Sequence, residues 1–385
     1  MSFIIWSANP EIFSFLPIRW YGLLFAMGFI LSQQVMYYIY KKEGKDPKDI
    51  DTITIFLIIA TIIGARLGHI FFYEPDILLE RPWDVFLPVR FTPEFKFVGL
   101  QGLASHGAAP SIFLALWLYC RYDITFKGLK LKAKRITRKG QSYLQVLDRI
   151  AIVVALTGCL IRMGNFVNSE IVGKPTKSDY GVIFAKNVKE VLTNSSSPIE
   201  AIDFSKRAGE SLNGYEPITM HLTFKDGDYE KTGIEQYLET RFKNTLTNHT
   251  YVAENIYQPS DVNLDYTLDQ KGGVFIAEVS TYGIVRHPAQ LYESISSLLL
   301  FVLLFAIWRI KKEETPKGRL FGLFLIILFG LRFSYEYIKE NQVAFEDGMA
   351  LNMGQWLSIP LIIAGIIIFV RSFSERNQYR VEEDK

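Results

Sequence analysis

Cysteine is scarce in this 385-residue sequence. The two present, Cys120 and Cys159, sit at or inside apolar runs with no CxxC or Cys/His spacing, which argues against a disulfide framework or zinc site and for buried free thiols. An excess of charge is missing too. The formal net charge is +2, and no Lys/Arg face interleaved with aromatics occurs, so nucleic acid is not an expected partner. HExxH, GxSxG and P-loop motifs do not occur, so any chemistry is expected to be metal-free and to need no cofactor. The opening MSFIIWSANPEIF has neither a basic n-region nor a small-residue cleavage site, so no removable signal peptide is expected there.

What the chain does hold is apolar length. Hydrophobic residues make up 49% and charged residues 21%, so the charges must be segregated into loops if the rest lies in a bilayer. A crossing needs roughly 20 apolar residues, and seven stretches qualify, at about 20 to 40, 51 to 72, 103 to 121, 147 to 163, 291 to 308, 320 to 337 and 353 to 370. Pro360 is expected to kink the last rather than end it. Lys and Arg number 21 in KKEGKDPKDI, RYDITFKGLKLKAKRITRKG, RIKKEETPKGR and the tail, against 5 in the alternating segments, Arg19, Arg81, Arg90, Lys96 and Lys339. That asymmetry puts the N-terminus outside and the C-terminus in the cytoplasm. The polar stretch from about 174 to 280 falls outside and is too long for a plain loop. Alternation such as ITMHLTF reads as short strands, and His221 and His249 read as incidental surface histidines. The expected fold is an all-α polytopic membrane protein of about seven transmembrane helices with a small β-rich or mixed outer insertion. Its parts are residues 1–173 (four helices), 174–280 (insertion) and 281–385 (three helices and tail).

Ionisable groups at membrane depth are costly and mark functional sites. Five clusters stand out. Arg19 and Tyr21 open the first span, where Trp20 and Tyr21 equally suit an interfacial aromatic belt. Arg66 and His69 share a face of the second. His106 opens the third, among the small residues Gly102, Gly107, Ala108 and Ala109, which would let a ligand or a neighbouring helix approach closely and leave the imidazole facing a cavity. Arg162, Asn165 and Asn168 recur every three residues at the end of the fourth and lead into Glu170 and Gly173. Tyr282, Arg286, His287, Gln290, Tyr292 and Glu293 surround the mouth of the fifth, where Pro288 fits a first helical turn. Arg332 and Glu336 form an i, i+4 pair in the sixth, best read as structural. In the derived orientation these groups lie toward the outer half. Paired guanidiniums in a low dielectric suit an anionic headgroup such as a phosphodiester. A transporter or flippase for an anionic lipid or solute would also gather arginines, but such folds usually show internal repeats, and none relates the two halves.

RWYGL, GARLG, SHGA, RMGNFVNSEIVG, RHPAQLYE and NMGQWLSIP occur in the order seen in the bacterial prolipoprotein diacylglyceryl transferases. The chain resembles that family throughout except for about 176 to 280. The resemblance implies a multi-pass enzyme of the bacterial inner membrane, N-terminus periplasmic and C-terminus cytoplasmic. Such an enzyme moves diacylglyceryl from phosphatidylglycerol onto the lipobox Cys thiol of preprolipoprotein signal peptides, forming a thioether and releasing glycerol phosphate. By matching motifs, Arg162 and Arg286 would be the essential arginines, with Tyr21, His106, Asn165, Asn168, Glu170 and Gly173 lining the site. Arg66, Tyr282, Gln290 and Glu293 complete the expected substrate-binding set. The chain departs from the family at Ala108, where the usual run is His-Gly-Gly, and at Ile161, where a Gly commonly precedes the Arg. Both departures bear on backbone geometry. The thiol must become a thiolate to attack; His106 is one candidate base, a tyrosine or the substrate phosphate the others. The guanidiniums would stabilise charge on the departing phosphate.

The charge asymmetry is open to a direct test. Reporter fusions after Lys132 and Lys312 should report cytoplasm and one near Asn213 the outer side; a cytoplasmic signal at Asn213 would reverse the orientation.

Overall fold

The computed structural model describes residues 3–13, 16–80, 89–90, 96–97, 105–127, 130–340 and 348–383, without the side chains of residues 13, 16–18, 79–80, 89–90, 96–97, 105–106, 125–127, 130–131 and 375–383. Gly102 and the side chain of His106 fall outside that set. Among the described residues the chain forms seven long helices: α1 (Trp20–Lys42), α2 (Lys48–Tyr73), α3 (Ser105–Arg121), α4 (Tyr143–Val167), α5 (Ala289–Lys311), α6 (Arg319–Tyr335) and α7 (Met353–Glu383). All but α3 lie in six apolar helical segments long enough to cross a membrane. The chain is therefore a multi-pass membrane protein. α3 is described over 17 residues, from Ser105 to Arg121. Pro360 lies inside α7, which continues past it.

Two helices begin on side-chain caps, the first of them reciprocal. Asn352 Oδ1 accepts from the Gln355 amide at 2.9 Å, and Gln355 Oε1 accepts from the Asn352 amide at 3.1 Å, a capping box that occupies two positions of NMGQWLSIP. Before α4, the Ser142 amide donates to Gln145 Oε1 at 3.0 Å. Each cap satisfies a donor that the first helical turn leaves open.

The chain gathers into two compact units, one of residues Met1–Gly28, Gly158–Ser297 and Phe329–Ile359, the other of Phe29–Thr157, Leu298–Leu328 and Pro360–Lys385. In the second unit α2 and α3 pack backbone against backbone. A Cβ on Gly107 would lie 2.5 Å from Gly68 Cα, and one on Gly64 2.7 Å from the Gly107 carbonyl. Gly107 therefore serves the approach of a neighbouring helix, one of the two roles open to it in the sequence. Also in this unit, the buried Glu43 carboxylate accepts from Arg149 Nη2 (2.7 Å) and Trp308 Nε1 (2.7 Å) and pairs with Lys45. Burial works to raise the Glu43 pKa, yet the Arg149 charge and hydrogen bonds, with Lys45, hold it below the usual carboxylate value.

The first unit holds an antiparallel sheet of five strands, β1 (Ile199–Lys206), β2 (Glu216–Phe224), β3 (Ile256–Tyr257), β4 (Asp265–Lys271) and β5 (Val274–Gly283). Its order is β3-β5-β2-β1, with β4 also on β5. Burial alternates strictly along β2 from Ile218 to Phe224, as a half-buried sheet requires. Its inner face packs Ile218, Met220, Leu222, Phe224, Ala277 and Val279 against Leu238, Phe242 and Leu246 from short helices. Asn213 and Gly214, both left-handed, close a two-residue turn between Leu212 and Tyr215, and Gly272–Gly273 turn β4 into β5. Near the N-terminus Ile4–Trp6 pairs in parallel with Val182–Phe184. That pairing seats the Trp6 ring 4.5 Å from Phe166 at the end of α4.

The helix contact predicts a stability effect. Gly107→Ala should lower the thermal midpoint of the purified protein, since overpacking costs about 1–3 kcal/mol, whereas Ala109→Ser, at an exposed position of the same helix, should not. Equal midpoints for the two would sink the close-packing account.

Candidate active site

All of the site described here lies in the first unit. The last turns of α4 carry Arg162, Asn165 and Asn168 at every third residue, on roughly one helical face. Beyond Val167 the chain does not simply unwind. Ser169 and Ile171 both take φ of +56°, a left-handed conformation that is uncommon for Ser and a genuine outlier for a β-branched residue. This turn folds Glu170 back toward the helix that precedes it. Asn165 Nδ2 donates to Glu170 Oε2 at 3.0 Å and Asn168 Nδ2 to Oε1 at 3.2 Å, while Gln290 Nε2 at the start of α5 donates to the Glu170 carbonyl. Tyr21 in α1 lies against Gly164, where a Cβ would come 2.9 Å from the ring, and the charges of Glu170 and Arg162 act on its phenol.

Arg162 is oriented by a carboxylate. Its Nε lies 2.5 Å from Glu293 Oε2 in α5, and Nη1 reaches Asn165 Oδ1 at 3.5 Å. The side chain keeps 26% of its surface exposed, and its other N–H groups have no partner among the described residues.

Arg286 is held differently. It is 5% exposed and donates from Nε (3.0 Å) and Nη2 (2.6 Å) to the Glu254 carbonyl, and from Nη1 to the Gly173 carbonyl at 3.2 Å. Nη1 also meets Glu340 Oε1 at 2.6 Å, a carboxylate 45% exposed. Two carbonyls therefore fix the guanidinium, and one exchangeable anion completes its shell. Beside it, burial pushes the His287 imidazole below its ordinary pKa, and Nδ1 lies 3.3 Å from the Tyr292 hydroxyl.

A short backbone ladder sets this geometry. The Gly173 amide donates to the His287 carbonyl (3.0 Å), the His287 amide to Lys174 (3.1 Å), and the Lys174 amide to Ile338 (2.7 Å). Gly173 sits so tightly between the strands that a Cβ would lie 2.5 Å from the His287 oxygen and 2.9 Å from that of Ile338.

Of the expected residues, Arg162, Asn165, Asn168, Glu170, Gln290 and Glu293 form one hydrogen-bonded and ionic cluster, and Gly173 and Arg286 meet in the ladder. Tyr282 stands apart in β5, with the Arg207 guanidinium 5.7 Å over its ring. Arg66 is buried in α2 and His106 opens α3, both in the other unit. Residues missed in the sequence are Lys339 and Glu340, which bind Glu293 and Arg286. A signal existed in two adjacent opposite charges directly after the Arg332–Glu336 pair. Among the described residues no three His, Cys, Asp or Glu side chains are grouped as a metal would require.

The ladder makes a prediction. Gly173→Ala should force these strands apart, lowering the thermal midpoint and speeding amide hydrogen exchange at Lys174 and His287; unchanged exchange at both would mean that the ladder does not depend on the missing side chain.

Residues 10–371 match the family model described as prolipoprotein diacylglyceryl transferase. Among relatives, the phosphatidylglycerol–prolipoprotein diacylglyceryl transferase of Bacteroides fragilis is 32% identical over 367 residues, 94% of this chain and 93% of that one. That of Tolumonas auensis is 31% identical over 375 residues, 97% and 99% of the two chains, and that of Chloroherpeton thalassium 29% over 377, 97% and 96%. With the family model matching residues 10–371 and these relatives aligned through nearly the whole length, the chain belongs to the prolipoprotein diacylglyceryl transferases.

Proposed function

We propose that the protein transfers the diacylglyceryl group of phosphatidylglycerol to the lipobox cysteine of a prolipoprotein, the first step of lipoprotein maturation. In the reaction the cysteine Sγ forms a thioether with the glycerol carbon that bears the phosphate. The carbon–oxygen bond breaks, its electron pair stays with the phosphate oxygen, and glycerol phosphate leaves. The thiol proton must pass to a base, for which His106, a tyrosine and the substrate phosphate are the candidates.

The observation that carries this reading is Arg162. A guanidinium oriented by Glu293 and Asn165, part exposed and with N–H groups unclaimed among the described residues, is a preorganised receptor for an anion. Its attraction grows as charge develops on the departing phosphate, which is how binding becomes catalysis. Arg286 contributes by exchanging the Glu340 carboxylate for a phosphate oxygen while its carbonyl partners hold it in place. The remaining parts of the reading are a bacterial inner-membrane location, seven crossings with α3 as the third, a periplasmic N-terminus and sheet domain, and a cytoplasmic C-terminus; the Lys/Arg asymmetry supports them.

Purified protein in mixed micelles of phosphatidylglycerol, given a lipobox peptide, should yield a peptide heavier by one diacylglyceryl group. Arg162→Lys keeps the charge but loses the planar fork, and its turnover should fall at least about a hundredfold, the scale of removing one preorganised donor. Lipid binding should weaken less. Lipid translocation with no thioether product would favour a transporter or flippase, and near-normal turnover of Arg162→Lys would remove that residue from the phosphate.

A further inference from the structure

The ionic cluster continues past the arginines. Glu293 gives one oxygen to Arg162 and the other to Lys339 Nζ. The same ammonium lies 3.3 Å from Glu336 Oε1, and Lys339 is only 5% exposed. Glu336 is fixed in turn by Asn352 Nδ2 at 3.0 Å and by Arg332 Nε at 3.9 Å, whose side chain is 44% exposed. A backbone bridge joins Lys339 to Gly173, so the ladder that holds Arg286 also sets the position of the ammonium.

The least exposed charges balance. Arg162 and Lys339 are positive, Glu293 and Glu336 negative. Without Lys339 the carboxylates of Glu293 and Glu336 would keep only Arg162 and the more exposed Arg332, and charges interact far more strongly where little water screens them than in bulk water. An arriving phosphodiester would then meet a net negative centre. A need for stability alone would not explain the arrangement, because a buried ion pair replaced by apolar residues often costs nothing.

We propose that Lys339 is a positioning residue that keeps Arg162 available to the phosphate. Its ammonium takes up Glu336 and the second oxygen of Glu293, so that Glu293 orients the guanidinium without cancelling it. Lys339 itself touches no substrate. The inference rests on the transfer reaction proposed above.

The test uses the purified full chain, phosphatidylglycerol mixed micelles and a lipobox peptide. Lys339→Met should lower kcat/KM for phosphatidylglycerol by roughly ten- to hundredfold, the range seen when a group that orients a metal ligand is removed, with KM rising. Lys339→Arg should stay close to wild type. Adding Glu336→Gln to Lys339→Met restores the charge balance and should recover most of the loss, which a merely structural role would not do. Wild-type Lys339→Met kinetics, or a loss that Glu336→Gln leaves untouched, would overturn the proposal. Where Lys339→Met alone does not accumulate as folded protein, the double variant decides: activity near wild type supports the charge role, and activity lost with the fold intact overturns it. A wild-type protein that makes no thioether would instead count against the transfer reaction itself.

Discussion

A charge taken out of water must find partners among its neighbours or lose its ionisation, and in this protein that requirement shapes the ends of the helices. Glu293 meets it with Arg162 and Lys339. In the other unit Asp148 accepts from the Gly318 and Phe321 amides, capping α6 from a neighbouring helix, and Glu43 gathers Arg149, Lys45 and Trp308. Each carboxylate thereby fixes elements that are far apart in sequence. The difference lies in what is left over: at Glu43 and Asp148 burial is complete, whereas Arg162 retains exposed surface.

The turn after α4 shows the cost of such placement. Left-handed backbone at a residue other than glycine costs of order 1–3 kcal/mol, and both Ser169 and Ile171 adopt it. The turn persists because its ends are fixed, by α4 on one side and by the pairing of Gly173 and Lys174 with His287 and Ile338 on the other. Glu170 stays exposed at this turn. Here the strain holds its carboxylate against two asparagine amides, fixing their orientation beside Arg162.

Much of this was legible in the sequence, for physical reasons that also mark its limits. Apolar length located the long helices, but α4 begins at Tyr143 rather than near 147 and α7 runs on to Glu383, because capping residues and charged extensions carry no hydropathy. The three-residue spacing of Arg162, Asn165 and Asn168 placed them together; the two asparagines share Glu170, while Arg162 pairs with Glu293. The ion partner of Arg286 is Glu340, fifty-four residues on and invisible to local spacing. Lys339 was counted only as a loop charge bearing on orientation, a reading that assumes water around it. Its burial follows from pairings between segments remote in sequence, which no local pattern encodes. Likewise His221, without ligand spacing, stands 2.7 Å from Ser205 and 3.4 Å from Glu278 through the register of three strands.

The ladder around Gly173 also has a consequence for biosynthesis. Its three strands come from the end of α4, the approach to α5 and the end of α6, so contacts of high sequence separation must form before the shell of Arg286 is complete. A ribosome that has delivered Arg162 and Arg286 has not yet delivered Lys339 and Glu340. During that interval Glu293 lacks Lys339 and Arg286 lacks Glu340, and segments already in the bilayer must wait, hydrated or held by the insertion machinery, until the end of the sixth long helix has emerged. Assembly of the centre is thus a late event, coupled to near-completion of the polypeptide.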